Sequence, residues 1–222
     1  MSQIATIIVG QAIALPEDVI VRELLTDTRR AVFPESSLFF ALKGERRDGH
    51  TFLGEAWKKG IRNFIVSLQQ QYDLPGSNII VVKDVLAALQ CLAAHHRSQF
   101  HIPVIGITGS NGKTVVKEWL NQLLDNDYNI VRSPKSYNSQ IGVPLSVWQI
   151  NESNTLGIFE AGISQSGEME KLQKIIHPSI GIFTNTGDAH ASGFLNIRQK
   201  INEKLRLFSN VNTLIYCRDY PE

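Results

Sequence analysis

Nine residues, Gly106-Ile-Thr-Gly-Ser-Asn-Gly-Lys-Thr114, carry the residue types and spacing of a phosphate cradle. They follow an apolar strand-like segment, Ile102 to Ile105, and lead straight into a helix-like one, Val115 to Leu124. Backbone N–H groups of a glycine-rich turn and the unpaired amides of a helix's first turn converge on one spot, which favours an anion. Lys113 is placed to reach terminal phosphates, and the Thr114 hydroxyl to hold Mg²⁺. A glycine turn that merely joins strand to helix is the bland alternative. The flanking strand and helix favour the nucleotide reading. The usual G-x-x-x-x-G-K-[ST] spacing wants glycine where Ile107 stands; here the glycines sit at 106, 109 and 112, so this is a variant phosphate loop.

Other chemistry-bearing residues follow apolar runs. Glu160 closes Leu156-Gly-Ile-Phe-Glu160, where a carboxylate can hold magnesium directly or through water, or else be a helix-cap or solvated glutamate. His190 sits in Thr184-Asn-Thr-Gly-Asp-Ala-His190 as a candidate second-metal ligand or phosphate contact, and Asp188 suits either job. Asn138 and Gln140, in the polar stretch that begins at Ser133, pair donors with acceptors as a peptide-like substrate requires; a plain connecting loop fits nearly as well. Lys204, in Glu203-Lys-Leu-Arg-Leu-Phe208, taken alone reads as a solvated helix residue.

The elements that must position these groups alternate after residue 100. Strands are expected over Val104–Thr108, Asn129–Arg132, Leu156–Glu160, Ser179–Thr184 and Thr213–Cys217. Between them helices are expected over Val115–Leu124, Ile141–Ile150, Gly167–Ile176 and Ile197–Phe208, the third stopped by Pro178. On the first helix, Val116, Trp119, Leu120, Leu123 and Leu124 keep helical spacing. Nearly all-apolar strands in repeated βα units imply an α/β fold with a parallel sheet covered on both faces, its ligands at the carboxyl ends of the strands. The first hundred residues read as a smaller mixed α/β domain. It has strands over Leu38–Leu42, Asn63–Ser67 and Ile79–Val82, a short helix Phe52–Lys59 ending at Gly60, and a helix Lys83–Ser98. Phe100-His-Ile-Pro103 marks the boundary, giving domains 1–100 and 101–222.

Composition sets the class. The 222 residues carry a net charge of +1, with no basic excess for nucleic acid and no run of membrane-spanning length. Cys91 and Cys217, each inside an apolar segment, read as small core residues; without a disulfide framework a reducing, cytoplasmic setting is expected.

Thr108-Gly-Ser-Asn-Gly-Lys-Thr114 has the glycine spacing of the Mur ligases, ATP-dependent amide-forming enzymes of peptidoglycan synthesis, and the resemblance runs from about Leu24 to the last residue. Thr26-Asp-Thr-Arg29, followed by Leu38-Phe-Phe-Ala-Leu-Lys-Gly-Glu-Arg-Arg-Asp-Gly-His-Thr-Phe52, resembles the N-terminal domain that holds the UDP part of the substrate. Ala41-Leu-Lys-Gly-Glu-Arg46 and Tyr137-Asn-Ser-Gln-Ile-Gly-Val-Pro-Leu145 resemble the branch that adds D-alanyl-D-alanine to UDP-N-acetylmuramoyl-tripeptide. The sister branch adding the third stem residue usually shows paired threonines ahead of a proline, where this chain has Ser133-Pro134.

The resemblance implies roles position by position. Thr108, Gly109, Ser110, Asn111, Gly112, Lys113 and Thr114 would bind ATP, with Lys113 on the β- and γ-phosphates. Thr114 and Glu160 would hold a first magnesium and His190 a second, and Lys204 would serve as a carbamate formed with CO₂. Lys113, Glu160, His190 and Lys204 form the catalytic set. Asp27, Thr28 and Arg29, with Lys43 and His50 as weaker candidates, would meet the uridine diphosphate end; Asn138 stays a substrate-binding candidate on its side-chain chemistry. ATP would convert a peptide carboxylate to an acyl phosphate that the dipeptide amine then attacks. The resemblance also implies a further C-terminal domain of the same polypeptide, so the 222 residues are expected to be a front half with little activity alone. In some bacteria such a ligase is fused to an alanine racemase, on which the sequence is silent. The rival readings are the sister ligase, a non-catalytic module binding nucleotide or UDP-precursor, and an ATPase acting on a protein partner.

Overall fold

The computed structural model describes residues 1–45, 47–67, 72–187 and 193–219. The chain separates into two compact units, Met1–Leu92 and Ala93–Glu222. No helix among the described residues is long and apolar enough to cross a membrane.

The first unit contains α1 (Ser2–Ile7), β1 (Gln11–Ala14), β2 (Glu23–Leu25), β3 (Ser37–Phe40), α2 (Leu53–Lys58), β4 (Asn63–Val66) and β5 (Asn78–Val81). Its sheet runs β1-β5-β4-β3-β2, parallel except for the antiparallel β1–β5 pair. Central β3 and β4 are wholly buried, so they read as unbroken apolar runs. Gly60 ends α2 with φ +93°, a left-handed turn that costs glycine little. β1 and β2 escaped the sequence reading. β2 has only three residues, and β1 is exposed along its length, so neither leaves a readable apolar pattern.

α3 (Val85–Ser98) leads into the second unit, which contains β6 (Val104–Thr108), α4 (Lys113–Leu124), β7 (Ile130–Arg132), α5 (Gly142–Val147) and β8 (Leu156–Glu160). α6 (Glu168–Ile176), β9 (Ile180–Phe183), α7 (Ile197–Leu205) and β10 (Thr213–Tyr216) complete it, and a 3-10 turn, Arg206–Phe208, continues α7. The five strands are parallel in the order β10-β9-β6-β8-β7. β6 lies at the centre, and the chain leaves it in one direction for β7 and later crosses to β9 on its other side. The carboxyl end of β6 is therefore a topological switch point, the place where such sheets open a crevice.

On α4, Val116, Leu120 and Leu124 pack on Ile105, Ile107, Leu156 and Ile158 of the sheet. Trp119 and Leu123, from the same sequence stripe, face outward at 63% and 73% exposure. The cysteine expectation also fails: Cys91 and Cys217 are both exposed free thiols rather than core residues. α5 is shorter than its apolar run because Trp148 to Ile150 turn out of the helix while Ile150 stays buried.

Candidate functional site

The phosphate loop owes its shape to close approach. Gly109 has φ +147°, and a Cβ there would sit 2.0 Å from Thr184 Oγ1. The Thr184 hydroxyl donates to the Asn111 carbonyl at 2.6 Å, while the Ser110 and Asn111 amides donate to the backbone and side-chain oxygens of Asn185 at 3.0 Å each. The Ser110 hydroxyl and the Gly187 backbone exchange two further bonds, at 2.9 and 3.0 Å. The segment after β9 thus braces the loop. Thr108 does the same within the sheet, donating its hydroxyl to the Ala161 carbonyl at 2.8 Å.

α4 starts at Lys113, two residues earlier than its apolar pattern, and its cap is Gly112 at φ +80° with no side chain to occupy the first-turn amides. Those amides and the positive end of the helix are left for an anion. Lys113 folds back to donate to the carbonyls of Gly109 at 2.8 Å and Ser110 at 3.2 Å.

Two more lysines arrive from α7. Lys204, buried rather than solvated, donates to the Gly109 carbonyl at 2.9 Å. Lys200, equally buried, donates to the Gly187 carbonyl. Burial, with Lys113 and Lys200 nearby, pushes the Lys204 amine down to about 8. Burial also lowers Lys113, opposed by Glu160 and reinforced by Lys200. Ammonium groups so crowded and desolvated are complemented by a multiply charged anion. Sequence reasoning missed Lys200, because a lysine in a polar helix gives no sign of the direction it faces.

Glu160 is fully buried at the end of β8. Its Oε2 accepts from the Thr114 hydroxyl at 3.0 Å and from the Asn138 amide at 3.5 Å. Its Oε1 lies 3.0 Å from Lys117 Nζ but receives no hydrogen bond. The close approach is an ion pair, so the ammonium offsets the charge on that oxygen and leaves Oε2 facing the phosphate loop. Oε2, the carboxylate oxygen beside a hydroxyl on a phosphate loop, fits Mg²⁺, which takes one or two carboxylates plus phosphate oxygens rather than an all-protein cage. No group of three or more His, Cys, Asp or Glu side chains suited to a metal occurs among the described residues. Asp188 and His190 lie outside them.

In the first unit, Asp27, Thr28 and Arg29 line one cavity of about 490 Å³, joined by Arg47 and Glu55, which the sequence did not single out. Asp27 caps the turn Thr28–Arg30 and accepts from the Arg29 guanidinium at 2.7 Å, which holds its carboxyl far below the usual range. The Thr28 hydroxyl donates to Glu55 at 2.8 Å. Lys43 and His50 are not part of that lining. His50 is a brace: Nε2 accepts from the Ser67 amide at 3.1 Å, so Nδ1 carries the proton toward Asp48 at 2.6 Å. Gln140 donates to the Glu168 carbonyl at 3.2 Å.

A parallel sheet with a glycine loop at its switch point, lysines around that loop and a buried carboxylate beside it define a nucleotide-binding α/β protein of the phosphate-loop class. Residues 107–222 match the Mur ligase middle domain, and the chain belongs to the Mur ligase family. It is 33% identical over 209 residues to the UDP-N-acetylmuramoyl-tripeptide--D-alanyl-D-alanine ligase of Bacillus subtilis, covering 92% of this chain and 45% of that one. Among solved structures it is similar to MurF from Acinetobacter baumannii, with a TM-score of 0.87, 28% identity, and 97% of this chain and 48% of that one covered. It is also similar to the MurF ligase from Thermotoga maritima in complex with ADP, with a TM-score of 0.80, 28% identity, and 92% and 48% covered. The chain spans just under half the length of these relatives.

Proposed function

We propose that this chain carries the nucleotide-holding and UDP-precursor-holding parts of an ATP-dependent amide ligase that joins D-alanyl-D-alanine to UDP-N-acetylmuramoyl-tripeptide. The observation that carries the proposal is the convergence of Lys113 and Lys204 on the glycine loop, with Lys200 on the Gly187 carbonyl that braces it and Thr114 hydrogen-bonded to buried Glu160. The relatives named for this reaction, and the ADP complex among the structural neighbours, supply the substrate identities.

A carboxylate is a poor electrophile, and its conversion to an acyl phosphate needs a phosphoryl group transferred from ATP with ADP as leaving group. The loop amides and Lys113 hold the phosphates and offset charge as it shifts toward the leaving oxygen. The amine then attacks the acyl carbon and phosphate departs. Positioning carries most of the acceleration, and no protein nucleophile is needed. Magnesium, when bound, supplies further charge neutralisation of the phosphoryl group; Thr114 and Glu160 are the described residues that would hold it, with His190 and a Lys204 carbamate assigned by family resemblance. In the first unit, Asp27, Thr28 and Arg29 would receive the uridine diphosphate end.

Calorimetric titration with a non-hydrolysable ATP analogue and Mg²⁺ tests the nucleotide half. Wild type is expected to bind, and Lys113→Ala to lose at least ~10-fold in affinity, as expected when a charged hydrogen-bond donor to phosphate is removed. Equal affinity in the two proteins would remove Lys113 from the phosphate site.

A further inference from the structure

Lys117 lies one helical turn beyond Lys113 on α4, so the two stems leave the same face of the helix. Lys113 curls over the phosphate loop. Lys117 instead turns inward and is fully buried. Its ammonium donates to the carbonyls of Ser133, at 2.8 Å, and Lys135, and lies 3.0 Å from Glu160 Oε1 and 3.1 Å from Glu118 Oε1. A single cation therefore joins the helix of the phosphate loop, the carboxylate at the end of β8 and the turn that follows β7.

That turn is otherwise unfavourable. Lys135 is one of three non-glycine residues with positive φ among those described, at +52°, a conformation that disfavours a side chain. Its carbonyl points at the buried ammonium. Three residues on, Asn138 donates to Glu160 Oε2 at 3.5 Å, while its own carbonyl accepts from the Gly162 amide at 2.7 Å. Gly162 fits closely here: a Cβ there would lie 3.0 Å from Asn138 Oδ1, so the Asn138 side chain would have to shift. Ser133 completes the closure by accepting the Glu160 amide on its hydroxyl at 3.1 Å. The two oxygens of Glu160 are thus flanked from opposite sides, by Lys117 on one and by Thr114 and Asn138 on the other.

A fully buried ion pair is a poor way to gain stability, because apolar residues of the same volume would fill the space at lower desolvation cost. Its value here is geometric. We infer that Lys117 is a positioning residue that aims Glu160 Oε2 at the Thr114 hydroxyl and locks the 133–138 turn against the same carboxylate, so that metal-assisted nucleotide binding and the set of that turn depend on one side chain. The inference rests on the ligase reading for the identity of the nucleotide, but not for the turn. In this arrangement Lys117 acts through Glu160 and two backbone carbonyls.

The test uses Lys117→Met in the 222-residue chain, with two readouts. Affinity for the non-hydrolysable ATP analogue is measured with Mg²⁺ and with the metal chelated, and amide hydrogen exchange is followed at residues 133–139 and Gly162. Lys117→Met is expected to reduce the Mg²⁺-dependent gain in affinity at least tenfold, to leave the metal-free affinity within about threefold, and to speed exchange across the turn. Lys117→Met/Glu160→Gln is expected to lose no more of that gain than Glu160→Gln alone, because both act through one carboxylate. If Lys117→Met does not fold, Lys117→Met/Glu160→Met replaces the pair by apolar groups and supports the same exchange measurement. An unchanged Mg²⁺-dependent gain together with unchanged exchange overturns the inference, as does an equal loss of metal-free and metal-dependent affinity. If wild type binds no nucleotide, the ligase reading fails separately, and exchange across the turn alone decides whether Lys117 holds it.

Discussion

Glu203 ties α7, the helix that carries Lys200 and Lys204, to the start of α6 without reaching the phosphate loop. Its buried Oε1 accepts the amides of Gly167 at 2.8 Å and Met169 at 3.1 Å, capping α6 from outside, while Lys200 and Lys204 leave the same helix toward the loop. Glycine at the cap, with φ +85°, offers no side-chain acceptor of its own. Replacing Glu203 by Ala orphans two amides at the start of α6 and is expected to cost about 2–3 kcal/mol in denaturant unfolding, with Gln costing less because one acceptor oxygen remains. A loss under ~0.5 kcal/mol for Ala would mean that α6 is capped otherwise. The glycines and Lys113-Thr114 announce themselves in the sequence because φ above zero and close backbone approach leave few alternatives. Lys117, Lys200 and Glu203 do not. In sequence they are polar residues on helices, and only the rotation of α4 and α7 against the sheet decides that they point inward.

At the level of elements, α3 supplies a pH-dependent contact. His96 donates through Nε2 to the Ile150 carbonyl at 2.8 Å and packs on Trp148, with ring centres 4.5 Å apart, and on Phe100 at 5.0 Å. Burial pushes its imidazole below the ordinary value of 6.5, partly opposed by that hydrogen bond, with His95 adding to the fall. The unfolded chain therefore binds the proton at higher pH than the folded one. The contribution to stability is complete above about pH 6.5 and is lost as pH falls through the lowered value. Urea midpoints for wild type are expected to fall between about pH 7.5 and about pH 5.5, and His96→Gln to show a smaller fall; identical slopes would remove His96 from the acid response. The βα beat of the second unit was legible because buried parallel strands are unbroken apolar runs. Strand β1 and the outward direction of part of the α4 stripe were not, since exposure decouples hydrophobicity from position: Trp119 keeps helical spacing with Val116 and Leu120 yet stands 63% exposed.

At the scale of the molecule, the phosphate loop alone is compatible with many ATP-using enzymes, and the first unit carries the distinction. An ATPase acting on a protein partner would have no need of the cavity lined by Asp27, Thr28 and Arg29, whereas under the proposed ligase function that cavity would receive the UDP end of the substrate. Those three residues were readable as a motif. Arg47 and Glu55, whose carboxylate accepts the Thr28 hydroxyl, were not, because the stretch after β3 and helix α2 bring them to the cavity only on folding. The measurement that bears most directly on the central claim is calorimetric titration of the chain with UDP-N-acetylmuramoyl-tripeptide, beside UDP-N-acetylglucosamine and repeated on Arg29→Ala. The ligase account predicts preferential binding of the tripeptide precursor, weakened at least ~10-fold by Arg29→Ala while affinity for the ATP analogue is unchanged. Equal affinity for the two UDP compounds, or a precursor affinity indifferent to Arg29, would contradict it.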